Sequence, residues 1–140
     1  MSRTPQWRRH RTAQHLLGER GAAAVEFALV VPILLILVFG IIETSKAFNA
    51  QATLSAAARE GARALSQGDS LASAVSAAQT AAGSLGLSSS TITITPTTCV
   101  GITTATTVTV TVRYHQTFAS GLLGSTGIDI TGTAAMRCAA

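Results

Sequence analysis

The chain has 140 residues, enough for one small domain plus a membrane helix and little more. It is 47% hydrophobic but only 4% aromatic, so alanine supplies much of the apolar count and a large core of bulky side chains is excluded. The formal charge of +4 argues against nucleic-acid binding once it is mapped. Arg3, Arg8, Arg9, Arg11 and Arg20 against Glu19 place all of it in residues 1–21, and thereafter Lys46, Arg59, Arg63, Arg113 and Arg137 balance Glu26, Glu43, Glu60, Asp69 and Asp129. A basic arm beside an apolar span sets membrane topology.

Residues 1–21 are polar, basic and interrupted by Pro5. They are expected to be a loose or only locally helical cytoplasmic leader. Residues 22–42 form an apolar run that would measure about 32 Å as a helix, against a hydrocarbon core of ~30 Å. With the arginines on its N-terminal side, the positive-inside rule puts the leader in the cytoplasm and everything after Ile42 outside a cell membrane crossed once. An ordinary secretory signal is the competing reading. The apolar run is longer than a usual signal core, however, and no small-x-small site follows it directly; Ala50-Gln51-Ala52 lies well past the span. Glu26 sits inside the run, where a carboxylate costs roughly 2.5–3.5 kcal/mol on insertion scales and so requires a reason. Pro32 removes one backbone hydrogen bond and predicts a kink near residues 28–32.

The helical pattern need not stop at the membrane. Ala47, Leu54, Ala58, Gly61 and Leu65 recur at helical spacing as one narrow apolar stripe. A continuous helix over 22–65 would be about 66 Å long. Gly68-Asp69 is a break, with Asp69 the expected N-cap of a second helix over 70–82 on which Leu71, Val75 and Ala78 share a face. A Ser/Gly linker over 83–90 completes an extracytoplasmic helical region, residues 43–90.

From residue 91 the period changes to two. Thr91-Ile92-Thr93-Ile94-Thr95 alternates up to Pro96, and Thr107 to Tyr114 alternates more strongly, with Val108, Val110, Val112 and Tyr114 on one face. Residues 128–134 read as a third strand. Threonine on one face and Ile/Val on the other describe a sheet with one wet and one dry side, and the alanine-rich helix stripe is the expected cover for the dry one. Cys99 and Cys138 lie after the first and third strands. An even pair in the exported part reads as a disulfide, closing a loop of about forty residues and adding roughly 4 kcal/mol in the chain-entropy model. The expected fold class is α+β: a long N-terminal helix, half transmembrane and half amphipathic, a short second helix, and a small three-stranded antiparallel sheet in a disulfide-bonded β region, residues 91–140.

Chemistry is sparse. His115 stands alone on a strand, while His10 and His15 are in the leader. The exported residues build no Ser-His-Asp, Cys-His or paired-carboxylate arrangement and no phosphate loop. Two thiols without a His or Asp cluster do not fill a metal site, so no enzyme activity, cofactor, metal or small-molecule substrate is expected.

The residues from Glu19-Arg20-Gly21 through Ala24-Val25-Glu26-Phe27-Ala28-Leu29-Val30-Val31-Pro32 resemble the TadE-like minor pilins, or pseudopilins, of the tight-adherence (Flp) pilus system. That system is a branch of the type IV pilus and type II secretion machinery. The resemblance continues in Phe39 to Glu43, Phe48 to Ala52 and Ala57 to Arg63, and the tail Ile130 to Arg137 looks like the family's last strand. Ala22 replaces the phenylalanine common at the first mature position of type IV pilins. The resemblance implies a type IV pilin-like layout, cleavage between Gly21 and Ala22 by a prepilin peptidase, and a minor or initiating role in pilus assembly and adhesion. Other pilin subunits, the assembly platform and the lipid bilayer would be its partners. On this reading Glu26, the fifth mature residue, pairs with the new amine of a neighbouring Ala22; the plainer alternative is a carboxylate that snorkels to the headgroups. Gly21 alone would pass for an ordinary helix start. Glu43, Arg59, Glu60 and Arg63 are subunit-contact residues on the family reading and a solvated helix face on the plain one. The competing function is an uncleaved, single-pass anchor that displays a small binding module.

Overall fold

A computed structural model describes residues 12–102, 105–118 and 126–138, with side chains from Gly21 onward. The order of elements is α1 (Thr12–Ser66), α2 (Leu71–Ala81), two 3-10 turns (Gly83–Leu85 and Ser89–Thr91), β1 (Ile92–Thr95), β2 (Thr107–Thr117) and β3 (Gly127–Arg137). The chain divides into two compact units, one up to Ile41 and one from Ile42 onward. The architecture is the α+β arrangement read from the sequence.

In the first unit, α1 already begins at Thr12, inside the expected leader. No proline follows Pro5 until Pro32, and Ala13, Gln14, Leu16, Leu17 and Arg20 are strong helix formers, so the helix extends backwards from the span. From Gly21 to Ile42 almost every side chain is exposed, including Phe27, Ile33, Leu34, Leu35, Ile36 and Ile41. This is a helix apolar on all sides, the pattern of a lipid-facing span.

In the second unit the sheet is antiparallel in the order β1-β2-β3. Val108 faces Met136, Val110 faces Ala134, Val112 faces Gly132 and Tyr114 faces Ile130, while Ile92 and Ile94 of β1 face Val112 and Val110. These residues form the dry face. Threonines at 93, 95, 107, 109, 131 and 133 stand on the other face and are exposed. The dry face is closed by α1 through Ala50, Leu54, Ala58, Ala62 and Leu65 and by Ala74 and Ala78 of α2, forming one buried cluster. The expected stripe on α1 therefore holds, widened by Ala50, Ala57 and Ala62.

Two glycines set how closely these layers approach. A Cβ at Gly132 would meet the backbone of Leu54 and lie 2.7 Å from its Cβ, so α1 rests directly on the β3 backbone there. Gln51 Nε2 donates to Thr131 O at 3.0 Å beside that contact. A Cβ at Gly61 would lie 3.2 Å from Ala78 Cβ and 3.3 Å from Ala74 O, the close approach of α1 and α2.

Helix α1 ends where the sequence breaks it. Gly68 has φ 96°, Asp69 N–H donates to Ala64 O at 3.2 Å and Gly68 N–H to Leu65 O at 3.1 Å, a Schellman closure. The expected N-cap of α2 is corrected by one residue. Asp69 N–H is spent on that closure, and Ser70 caps, its hydroxyl accepting from Ser73 N–H at 3.2 Å. The buried face of α2 is also corrected: Ala74 and Ala78 are buried, Val75 is half-buried and Leu71 is exposed. The approach at Gly61 admits only small side chains, so alanines take the inward positions.

Candidate processing and assembly site

The singled-out residues are spread along α1. Gly21, Ala22 and Glu26 lie at the start of the apolar stretch, and all three are exposed. The helix runs unbroken through the Gly21–Ala22 bond. Gly21 has neither of the usual structural reasons for a glycine: among the described residues nothing lies within 4 Å of where its Cβ would be, and its φ is not positive. A glycine within a helix costs about 1 kcal/mol relative to alanine and makes local opening easier. Glu26 is surrounded in sequence by Val25, Phe27, Leu29 and Val30, each at least 51% exposed. Its carboxylate thus stands on a surface otherwise suited to hydrocarbon.

Farther along α1 the charges find partners on their own helix. Glu43 Oε1 lies 3.7 Å from Lys46 Nζ, and Glu43 is largely covered, with 12% of its side chain exposed. Glu60 Oε2 lies 3.9 Å from Arg63 Nη1, with both side chains more than half exposed. Arg59 is exposed one turn before Arg63. Glu43 and Arg59 are separated by about 24 Å of helix rise, so these four residues do not form one cluster. Arg59, Glu60 and Arg63 share about one turn of the rod, and Glu43 lies more than four turns before them.

At the far end of the sheet Cys99 and Cys138 are joined, with S–S 2.10 Å and Cα–Cα 5.5 Å. Cys138 N–H donates to Thr106 O at 2.9 Å, which holds the β3 terminus against the start of β2. His115 and Asp129 face each other across β2 and β3 with Nδ1 and Oδ1 2.7 Å apart, on the solvent side. Among the described residues no group of three or more His, Cys, Asp or Glu is placed to hold a metal ion.

Among the described residues, the stretch of α1 from Gly21 onward is the one helix long and apolar enough to cross a membrane. Residues 21–63 match the family model described as TadE-like protein. Over this stretch the chain is TadE-like. The match starts at Gly21, takes in Glu26, Pro32 and Glu43, and ends at Arg63, so the part of α1 that carries the charged turns belongs to the TadE-like segment. The tail Ile130 to Arg137 lies outside it. No curated protein and no solved structure matches the chain.

Two further residues, Gly132 and Gln51, seat the TadE-like helix on the sheet and are absent from the set expected from sequence. A signal for Gly132 is present: a lone glycine inside an alternating strand marks a close backbone approach. Gln51 carries no such mark, since a glutamine on a helix reads first as solvated surface.

Proposed function

We propose that this TadE-like protein is a prepilin-like structural subunit of a tight-adherence pilus. It is inserted in the cell membrane through residues 22–42, with residues 1–21 in the cytoplasm and the sheet outside. A prepilin peptidase cleaves it after Gly21, and it acts as a minor or initiating subunit in assembly and surface adhesion. The observation that carries this reading is the coincidence at Gly21. The family match takes in Gly21, and among the described residues nothing packs where its Cβ would stand and its φ is not positive. A small residue that the chain does not itself need is what close approach by a peptidase requires.

Cleavage creates an amine at Ala22 and makes Glu26 the fifth residue of the shortened chain. Each charge alone is costly in hydrocarbon. Paired between neighbouring subunits they cancel and fix the axial register of one helix against the next. Arg59, Glu60 and Arg63 then present charged turns to a neighbour farther along the rod, and Glu43 sits just after the span. The platform that extrudes the filament and the other pilin subunits are the partners on this reading.

The test is the N-terminal sequence and intact mass of the membrane-bound protein, with and without active prepilin peptidase. A chain starting at Ala22 only when the peptidase works is the expected result. A chain still starting at Met1 in both cells replaces this reading with an uncleaved anchor. Glu26→Ala separates the two again: it should leave an anchor intact and impair a pilus subunit.

A further inference from the structure

A pocket of about 590 Å³ opens between α1 and the end of the sheet where β2 stops and β3 starts, wholly within the unit from Ile42 onward. Ala47, Phe48, Phe118 and Ile128 give it apolar walls, and Phe48 is 72% exposed. Two carboxylates stand among them, Glu43 and Asp129. Glu43 has Lys46 at 3.7 Å. Asp129 pairs with His115, and 85% of its side chain is still exposed, which leaves it open to a second partner. This lining suits a ligand with an apolar stem and a cationic head. Arginine is such a group: its stem lies along apolar surface, while its guanidinium bonds carboxylates and stacks on aromatic rings. An anionic ligand would meet two like charges there.

The same unit carries a matching surface, about 24 Å beyond Glu43 along α1. Arg59 is exposed and, among the described residues, makes no ion pair or hydrogen bond. Ala52 and Ala56 lie seven and three residues before it, on the same side of the helix, and both are exposed. Small neighbours let another protein come close while the arginine projects. The signs agree as well. The turn carries Arg59 and Arg63 with Glu60, whereas the pocket carries Glu43 and Asp129 with Lys46 beside Glu43. Two cations and an anion would face two anions and a cation.

We propose that the pocket between Phe48, Phe118 and Asp129 receives Arg59 of a second copy of this chain. Pocket and arginine turn are separate on each copy, so both can be engaged at once and the contact does not close on itself. It joins copies head to tail, with their α1 helices parallel and staggered by about 24 Å. This rests on the subunit reading above, since copies inserted the same way through one membrane have parallel helices.

The experiment uses two differently tagged full chains, made together in cells with active prepilin peptidase and pilus machinery. One carries photoreactive p-benzoylphenylalanine in place of Phe48. The N-terminus is read first, and a chain still starting at Met1 overturns the subunit reading and this proposal with it. In a cleaved chain, light should join the probe to residues 52–63 of the other copy, located by mass spectrometry of the mixed-tag product. Arg59→Gln in the copy without the probe should lower the yield about tenfold, the loss of one charge-assisted contact. Arg59→Glu there should do the same, and Asp129→Arg in the probe copy should restore the product. The Cys99–Cys138 disulfide, read from intact mass, reports that each variant folds. If Asp129→Arg fails to form it, the near-isosteric Asp129→Asn should by itself lower the yield against an unchanged second copy. A probe joined only to lipid, to another protein or to a different surface of the second copy overturns the proposal and leaves the subunit reading in place. So does a yield that ignores Arg59. Arg59→Gln in the probe copy alone should change nothing in the mixed-tag product; a loss there marks a reciprocal two-fold contact and overturns the head-to-tail one.

Discussion

The two stretches of α1 on either side of Ile42 are equally helical and opposite in how they treat apolar side chains. Before Ile42 the residues are large, Phe27, Leu29, Ile33, Leu34, Leu35, Ile36 and Ile41, and all are exposed. After it they are mostly alanine, and Ala50, Ala57, Ala58 and Ala62 are buried to 2% or less. The difference shows that hydrophobicity alone does not mark a core. Bulk on every side marks a helix whose solvent is lipid. A stripe of small residues marks a helix that another backbone approaches closely, as β3 approaches at Gly132 and α2 at Gly61.

This contrast can be broken from either side. The globular part has little bulk, so its stability should lean on covalent and close-packed restraints. Replacing both Cys99 and Cys138 by Ser should cost roughly 4 kcal/mol in the chain-entropy model, read as a lower urea midpoint of the full chain in detergent micelles, with the span's helicity unaffected. Gly132→Val forces a side chain into the Leu54 backbone, and an overpacked site of this kind costs about 3 kcal/mol or more. The same urea titration should show it, while Gly21→Ala, where the added methyl meets nothing, should leave the midpoint in place. On the other side of Ile42, Ile36→Asp should penalise membrane insertion by about 3 kcal/mol. Carbonate-resistant membrane association should fall, and the disulfide-bonded part should keep its urea midpoint. Smaller effects sharpen the picture. Ser70→Ala removes the N-cap of α2 and should cost about 1 kcal/mol. His115→Ala, which breaks an exposed cross-strand pair, should stay below about 1 kcal/mol in the same titration.

Most of this division was legible before any coordinates. The long apolar stretch followed from its length and composition, the helix stripe from its spacing, and the three strands from their alternation. The strands proved longer at their ends: β2 runs on to Thr117 and β3 to Arg137. Thr117 pairs with Gly127 and Arg137 with Thr107, which is invisible to a local pattern. The cap at Ser70 is masked in sequence by its neighbour, because Asp69 is an equally good capper. Only the Schellman closure shows that Asp69 belongs to the preceding helix. The strand order and the contact of Leu54 with Gly132 depend on residues far apart in sequence, and periodicity carries no information at that range. Of the residues proposed for processing and assembly, Gly21 and Glu26 stood out because each breaks a local rule, a glycine in a helix and a carboxylate in an apolar stretch. The pocket lined by Phe48 and Ile128 carries no such mark, and residues 119–125 between β2 and β3 lie outside the described residues.

The Leu54–Gly132 contact joins residues that are made at different times. A ribosome makes the helix first, and the strand that must cover it is completed only when residue 132 has been added. At roughly 5–20 residues per second the alanine stripe waits uncovered for several seconds. The stripe of the nascent helix is therefore not covered by its own sheet during that interval. The composition of the stripe helps here, since alanine exposes far less greasy area than leucine would while the chain is still unfinished.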